Sequence, residues 1–261
     1  MHKRSAILIL FLSLLAWPVA ARTLSGGPDD AAGRRGRERS EAKPIQRGEK
    51  MVDGAGRAAA ADVTPRNDAG KPPAEVLLVN KERPLPTDYV PPDLRAAGIP
   101  FNCPEDSPKR LLRADAAEAV ERLFARAAED GIALIGVSGY RSYARQAEIF
   151  AAQTARYGEE AANMVSARPG ESEHQTGLAI DVSSPEVGGE LVGEFAGTEA
   201  GRWLAEHAPA FGFIIRYPAG KEEITGYQYE PWHLRYVGAG HAVAMAAAGV
   251  TLEEYMAASA G

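Results

Sequence analysis

The sequence predicts an α+β fold in a single domain over residues 75–261. Three observations lead there. The chain has 261 residues, which at about 100–200 residues per domain leaves room for one large domain or two small ones. Its tyrosines all fall after residue 74, where the large apolar residues also gather. Within that part, strand-length apolar runs and helix-period segments are interspersed without the regular βαβ alternation of a doubly wound sheet.

Taken in order, Leu112, Ala116, Val120, Leu123 and Ala127 recur at steps of three and four, which predicts an amphipathic helix ending near Gly131 with its apolar stripe against a sheet. The run Ile132–Val137 is bounded by Gly131 and Gly139, long enough for a buried strand and too short for a helix. A second helix starts at Ser142 and runs through Ala147, Phe150 and Ala151 toward Tyr157. Leu178–Val182 reads as a strand, Thr198–Ala208 as a helix and Phe213–Tyr217 as a strand. Tyr227–Val237 is strand-like except at Pro231, and Thr251 with Glu254 three residues on forms a capping box opening a last short helix. His207, at the end of a helix where positive charge is favoured, and His241 read as structural.

The segment before this domain has a different character. Lys3 and Arg4, the apolar run Ala6–Trp17 and the small residues Val19, Ala20 and Ala21 form a secretory signal pattern over residues 1–21. The run is shorter than the roughly 20 apolar residues of a membrane span, and Pro18 interrupts it, so cleavage near Ala21 is expected and no stable span remains. Residues 22–74 are rich in Gly, Ala, Arg and Pro and lack the large apolar groups that offset ordering entropy, which predicts a disordered linker.

Composition excludes several classes of function. Apolar residues at 45% and charged residues at 25% fit neither a multi-span membrane protein nor a wholly disordered chain. The net charge of -6 is uneven: residues 22–74 carry 11 Lys/Arg against 8 Asp/Glu, residues 75–261 carry 16 against 27. So acidic a domain argues against nucleic acid as a partner, since phosphate tracking needs clustered Lys and Arg. Cys103 is the single cysteine, so no internal disulfide supports the fold.

Four polar residues in apolar surroundings need explaining. Asp181 lies between Ile180 and Val182, where a carboxylate is costly to bury without a cation or hydrogen bonds. His174 precedes it in a loop containing Gly177, and His233 sits in another strand-like stretch three residues after Glu230. Two imidazoles and a carboxylate are the three-ligand set of a catalytic zinc with its fourth position left for water. Glu230 is near enough to His233 to take a proton from that water without being a ligand. Residues i and i+3 of a regular strand point to opposite faces, so this needs a distortion, which Pro231 favours. Spacing alone leaves other readings open: a hydrogen-bonded loop histidine, a capping or paired aspartate, a solvated strand glutamate.

The pattern Ser172-x-His174-x-x-Gly177-x-Ala179-x-Asp181, followed by Glu230-x-x-His233, resembles that of the VanY-type D-alanyl-D-alanine carboxypeptidases, zinc peptidases related to lysostaphin-type enzymes and the hedgehog signalling domain. The segments Leu78–Lys81, Ser138–Ser142, Phe213–Pro218 and Glu230–Val237 are similar to family segments too, so the resemblance spans about residues 75–258. It implies a central, mainly antiparallel sheet with flanking helices and one zinc ion per chain. It further implies His174, Asp181 and His233 as ligands, Glu230 as general base and acid, and Arg141, Gln146 and Ser172 as substrate contacts. Arg141 would serve either the developing oxyanion or the substrate's terminal carboxylate, and is catalytic in the first case. Tyr140, Tyr143, Trp232 and Tyr236 are expected to wall the cleft or to pack in the core.

The expected function is zinc-dependent removal of the terminal D-alanine from peptidoglycan stem peptides by a secreted enzyme in the periplasm or cell-wall space. The alternatives are an L,D-carboxypeptidase, an endopeptidase or a D,D-dipeptidase on wall peptides, and, in another class, a non-catalytic wall-binding module with a structural zinc. Glu230 discriminates against the last, which needs no carboxylate there.

Overall fold

The computed structural model describes residues 76–259. The signal segment expected at 1–21 and the linker expected at 22–74 lie outside the described residues. In chain order the elements are β1 (Leu94–Ala96), β2 (Leu111–Arg113), α1 (Ala114–Glu129), β3 (Ile135–Ser138), α2 (Tyr143–Tyr157), α3 (Glu159–Val165), β4 (Ala179–Ser183), α4 (Glu199–His207), β5 (Phe213–Tyr217), α5 (Glu222–Thr225), β6 (Glu230–Tyr236), α6 (Ala239–Ala248) and α7 (Leu252–Ser259). The predicted α+β class holds. A four-stranded sheet runs in the order β3-β4-β6-β5 and a two-stranded sheet pairs β1 with β2, every ladder being antiparallel.

The alternation of side chains along a strand gives the larger sheet two unlike faces. Ile180 and Val182 of β4, Leu234 of β6 and Phe213 of β5 share one core with Val120, Leu123, Phe124 and Ala127 of α1. The other face carries Asp181, His233, Arg235 and Arg216, all buried. It is closed over by the turn at Glu173–Thr176, which supplies Glu173, by the segment around Leu77 and by Glu253 of α7. The apolar face supplies the stability that lets the charged face exist. Leu123 is fully buried in that core, and Leu123→Ala is expected to destabilise the domain by about 2–5 kcal/mol, read as a lower urea midpoint at unchanged slope.

Helix ends follow the sequence signals. Ser142 caps α2 through its hydroxyl to the Arg145 N–H, and Thr198 caps α4 through its hydroxyl to the Gly201 N–H. The capping box is complete: the Thr251 N–H donates to Glu254 at 2.8 Å and the Glu254 N–H to the Thr251 hydroxyl at 3.2 Å. His207 closes α4, stacked on Trp203, and His241 lies buried in α6 against Tyr255. Leu112 differs from expectation. It sits in β2, paired with Arg95, because the strand passes straight into α1 at Arg113, and it reaches the same core from there. Likewise β3 starts at Ile135, although Ile132 and Leu134 before it are buried.

Candidate active site

The site forms on the charged face where β3, β4 and β6 lie side by side. Asp181 is directly opposite His233 in the β4–β6 register and opposite Ser138 on the β3 side. His174 comes from the short helical turn Glu173–Thr176, which ends at Gly177 in the left-handed conformation (φ 67°) before the chain enters β4. A Cβ at Gly177 would also lie 2.8 Å from Leu94, so glycine is required there on both counts. Gly139 is required for a different reason: a Cβ there would fall 2.5 Å from the Leu111 carbonyl oxygen. Its close approach places the Gly139 carbonyl 2.7 Å from His174 Nδ1.

That contact determines what the cluster can hold. With Nδ1–H donating to Gly139, His174 presents a bare Nε2 lone pair to Asp181 Oδ2 at 3.2 Å, and burial lowers its proton affinity further. Two acceptors facing each other in a buried site repel unless a cation stands between them. Asp181 Oδ1 meets His233 Nδ1 at 3.1 Å. The ligand atoms of His174, Asp181 and His233 all lie within 4.8 Å of one another, close enough to share an ion whose own bonds are about 2.0–2.2 Å. All three residues are at most 4% exposed. Burial opposes ionisation of Asp181, yet His174 and His233 hold its carboxyl far below the usual range. Burial would lower His233, but the carboxylates of Asp181 and Glu173 outweigh it and carry the imidazole up to about 9. The donor set, two nitrogens and one carboxylate oxygen in a buried electronegative pocket, fits a divalent zinc-like ion.

Glu230 stands beside the cluster, its Oε2 3.8 Å from His233 Nδ1. The strand distortion expected at Pro231 is what brings it there. Ile215 and Tyr217, two positions apart on β5, pair with Leu234 and Glu230, four apart on β6, so the extra residues around Pro231 let Glu230 and His233 reach the same side. Burial pushes the Glu230 carboxyl up to about 7, with Asp181 adding to the rise. A carboxylate poised there can accept and return a proton near neutral pH. Arg141 lies just after β3, its Nη2 3.8 Å from Asp181 Oδ2 and 3.2 Å from the Ser138 hydroxyl. Its Nη1 donates to Gln146 Oε1 at 2.8 Å.

These groups line a cleft of about 400 Å³ that also includes Ser172, Tyr217, Tyr227 and Trp232. An adjoining space of about 460 Å³ shares Arg141 and Asp181 with it and holds Tyr140. Gln146 is 1% exposed, its amide committed to Arg141, Ser166 and the Ala167 carbonyl, so it sits behind Arg141. Of the aromatic residues expected to wall the cleft or pack in the core, Trp232 lines it, Tyr140 lines the adjoining space and Tyr236 packs edge-on against Phe213.

Sequence reasoning passed over Glu173. It is 1% exposed, and its Oε1 accepts from Arg216 Nε and Arg235 Nη1, each at 2.7 Å. Arg216 in turn forks onto Glu253 of α7, its Nη1 2.9 Å from Oε2. Burial opposes its ionisation, but Arg216 and Arg235 hold Glu173 well below the usual carboxylate range. Arg216 in the apolar run Phe213–Tyr217 was the available signal, since a cation there calls for a buried anion.

Comparison with known proteins identifies the family. The VanY family model, described as D-alanyl-D-alanine carboxypeptidase, matches residues 109–239. The D-alanyl-D-alanine carboxypeptidase of Enterococcus faecalis is 35% identical over 190 residues, 69% of this chain and 65% of its own length, so the chain spans about two thirds of that relative. Among solved structures, the LdcB LD-carboxypeptidase, described for its peptidoglycan recognition, shares 48% identity at a TM-score of 0.67, covering 69% of this chain and 84% of that one. A variant of the vancomycin-resistance D,D-pentapeptidase VanY from a VanB-type cassette, solved with Zn(II), shares 35% identity at a TM-score of 0.58, covering 69% and 97%.

Proposed function

The chain belongs to the VanY family of D-alanyl-D-alanine carboxypeptidases, and on that premise we propose that it is a zinc-dependent enzyme removing the terminal D-alanine from D-Ala-D-Ala-ended peptidoglycan stem peptides. The observation that carries the proposal is the buried His174–Asp181–His233 cluster, whose facing lone pairs call for a cation, with Glu230 3.8 Å from one of its imidazoles. When bound, zinc supplies a Lewis-acidic centre that lowers the pKa of a coordinated water toward about 7 and polarises the scissile carbonyl. His174, Asp181 and His233 would hold it. Glu230 takes the proton of the attacking water on its carboxylate and delivers it to the leaving amine of D-alanine. Arg141, held by Gln146 and Ser138, lines the cleft, and on this reading it meets the substrate's carboxylate or the oxyanion. Ser172 lines the cleft, and on this reading it hydrogen-bonds the peptide.

Peptidoglycan lies outside the cytoplasm, so the reading places the protein in the periplasm or cell-wall space. No helix among the described residues is long and apolar enough to cross a membrane. A second reading, L,D-carboxypeptidase activity on tetrapeptides, is favoured by the higher identity and TM-score of the LdcB match. Purified protein is expected to release D-alanine from a stem pentapeptide; release from the tetrapeptide alone would select the second reading. Exhaustive chelation is expected to abolish release and added zinc to restore it, whereas full activity in the chelated protein would rule out a metal mechanism.

A further inference from the structure

Resting on the reading of the cluster as a zinc site, we propose that Glu173 positions the metal-binding imidazole of His233, acting as an orienting carboxylate on the side of the ring away from Asp181.

His233 presents Nδ1 to Asp181 at 3.1 Å. Its Nε2 points the other way, and the group it meets is Glu173 Oε2 at 3.5 Å. Both atoms are buried and neither has another hydrogen-bond partner. Each is therefore the other's available complement: a ring N–H with no acceptor and a carboxylate oxygen with no donor. Leaving both unmade costs more than closing the gap by a few tenths of an ångström. The Nε2–H tautomer that this pairing selects leaves the Nδ1 lone pair for a metal.

The rest of the network keeps Glu173 in place. Arg216 and Arg235 both bond the same oxygen, Oε1, at 2.7 Å. Two buried guanidinium groups on one carboxylate would ordinarily engage both oxygens; here Oε2 is spared and aimed at the imidazole. Arg216 is itself gripped by Glu253 of α7, which also accepts from Asn80 at 3.2 Å. The two histidines thus have matching supports on their far sides, the Gly139 carbonyl for His174 and the Glu173 carboxylate for His233. Such outer partners fix the ring and raise its basicity as a ligand.

The competing explanation is that Glu173 only neutralises two buried arginines. That role would lower the stability of the zinc-free protein and leave the zinc affinity of the folded protein alone. The experiment compares the full-length wild type with Glu173→Gln, folding checked by circular dichroism and zinc affinity measured by competition with a chromophoric chelator. Folded Glu173→Gln is expected to bind zinc roughly 10–100-fold more weakly. Wild-type affinity in the folded variant overturns the proposal. Wild-type protein that takes up no zinc would instead overturn the reading of the cluster. Should Glu173→Gln fail to fold, zinc-loaded wild type with nitrogen-15 histidine decides: a slowly exchanging, downfield-shifted Nε2 proton on His233 is expected. An unprotonated Nε2, or a proton in fast exchange with water, overturns it.

Discussion

Glu230→Gln is expected to lower D-alanine release by roughly 10²–10⁴-fold, the usual contribution of a positioned proton acceptor, while zinc stays bound at the wild-type ratio. Glutamine keeps the shape of the side chain and removes its basicity, so the change isolates proton transfer from packing. The metal is unaffected because His174, Asp181 and His233 form the ligand cluster without it, and Glu230 approaches His233 only to 3.8 Å. Steady-state D-alanine release and elemental analysis on the same preparation give both answers. Activity equal to wild type would remove Glu230 from the mechanism. Zinc-loaded protein inert with and without the carboxylate would favour the wall-binding module.

His233→Ala has the opposite signature, losing hydrolysis and zinc together. The substitution removes one of three ligands, and it also strips two buried carboxylates of a partner. Asp181 Oδ1 sits 3.1 Å from His233 Nδ1 and Glu173 Oε2 3.5 Å from Nε2. Removing one member of a buried charged set costs about 3–5 kcal/mol, so zinc-free His233→Ala is expected to unfold at clearly lower denaturant than zinc-free wild type. Equilibrium unfolding in the presence of chelator measures it, and metal analysis gives the zinc content. A variant that retains stoichiometric zinc would exclude His233 as a ligand.

Much of this was legible in the sequence where the signal is local. The stepped apolar residues of α1, the Ser142 and Thr198 caps and the Thr251–Glu254 box are short-range patterns, and the structure keeps them. Asp181 between two apolar strand residues announced a buried partner, and Pro231 announced the distortion that turns Glu230 toward His233. What could not be read was long-range or weakly patterned. The strands β1 and β2 are three residues each and gain their meaning from pairing with one another. Helix α6 is so rich in alanine that it shows little contrast between faces. Glu173 looked like an ordinary loop acid, because the arginines that define it arrive from β5 and β6, 43 and 62 residues further along.

Asp181 and His233 are cross-strand neighbours in the ladder joining β4 to β6, and that has a consequence for how the protein comes into being. A slip of one residue between those strands would turn every side chain of one of them over, sending Asp181 into the oily layer and Ile180 out of it. Misannealed copies therefore lose their hydrophobic seal and their hydrolytic centre in the same stroke. The same pairing that seals the apolar layer thus also assembles the ligand cluster, so catalytic competence and correct strand register are gained together.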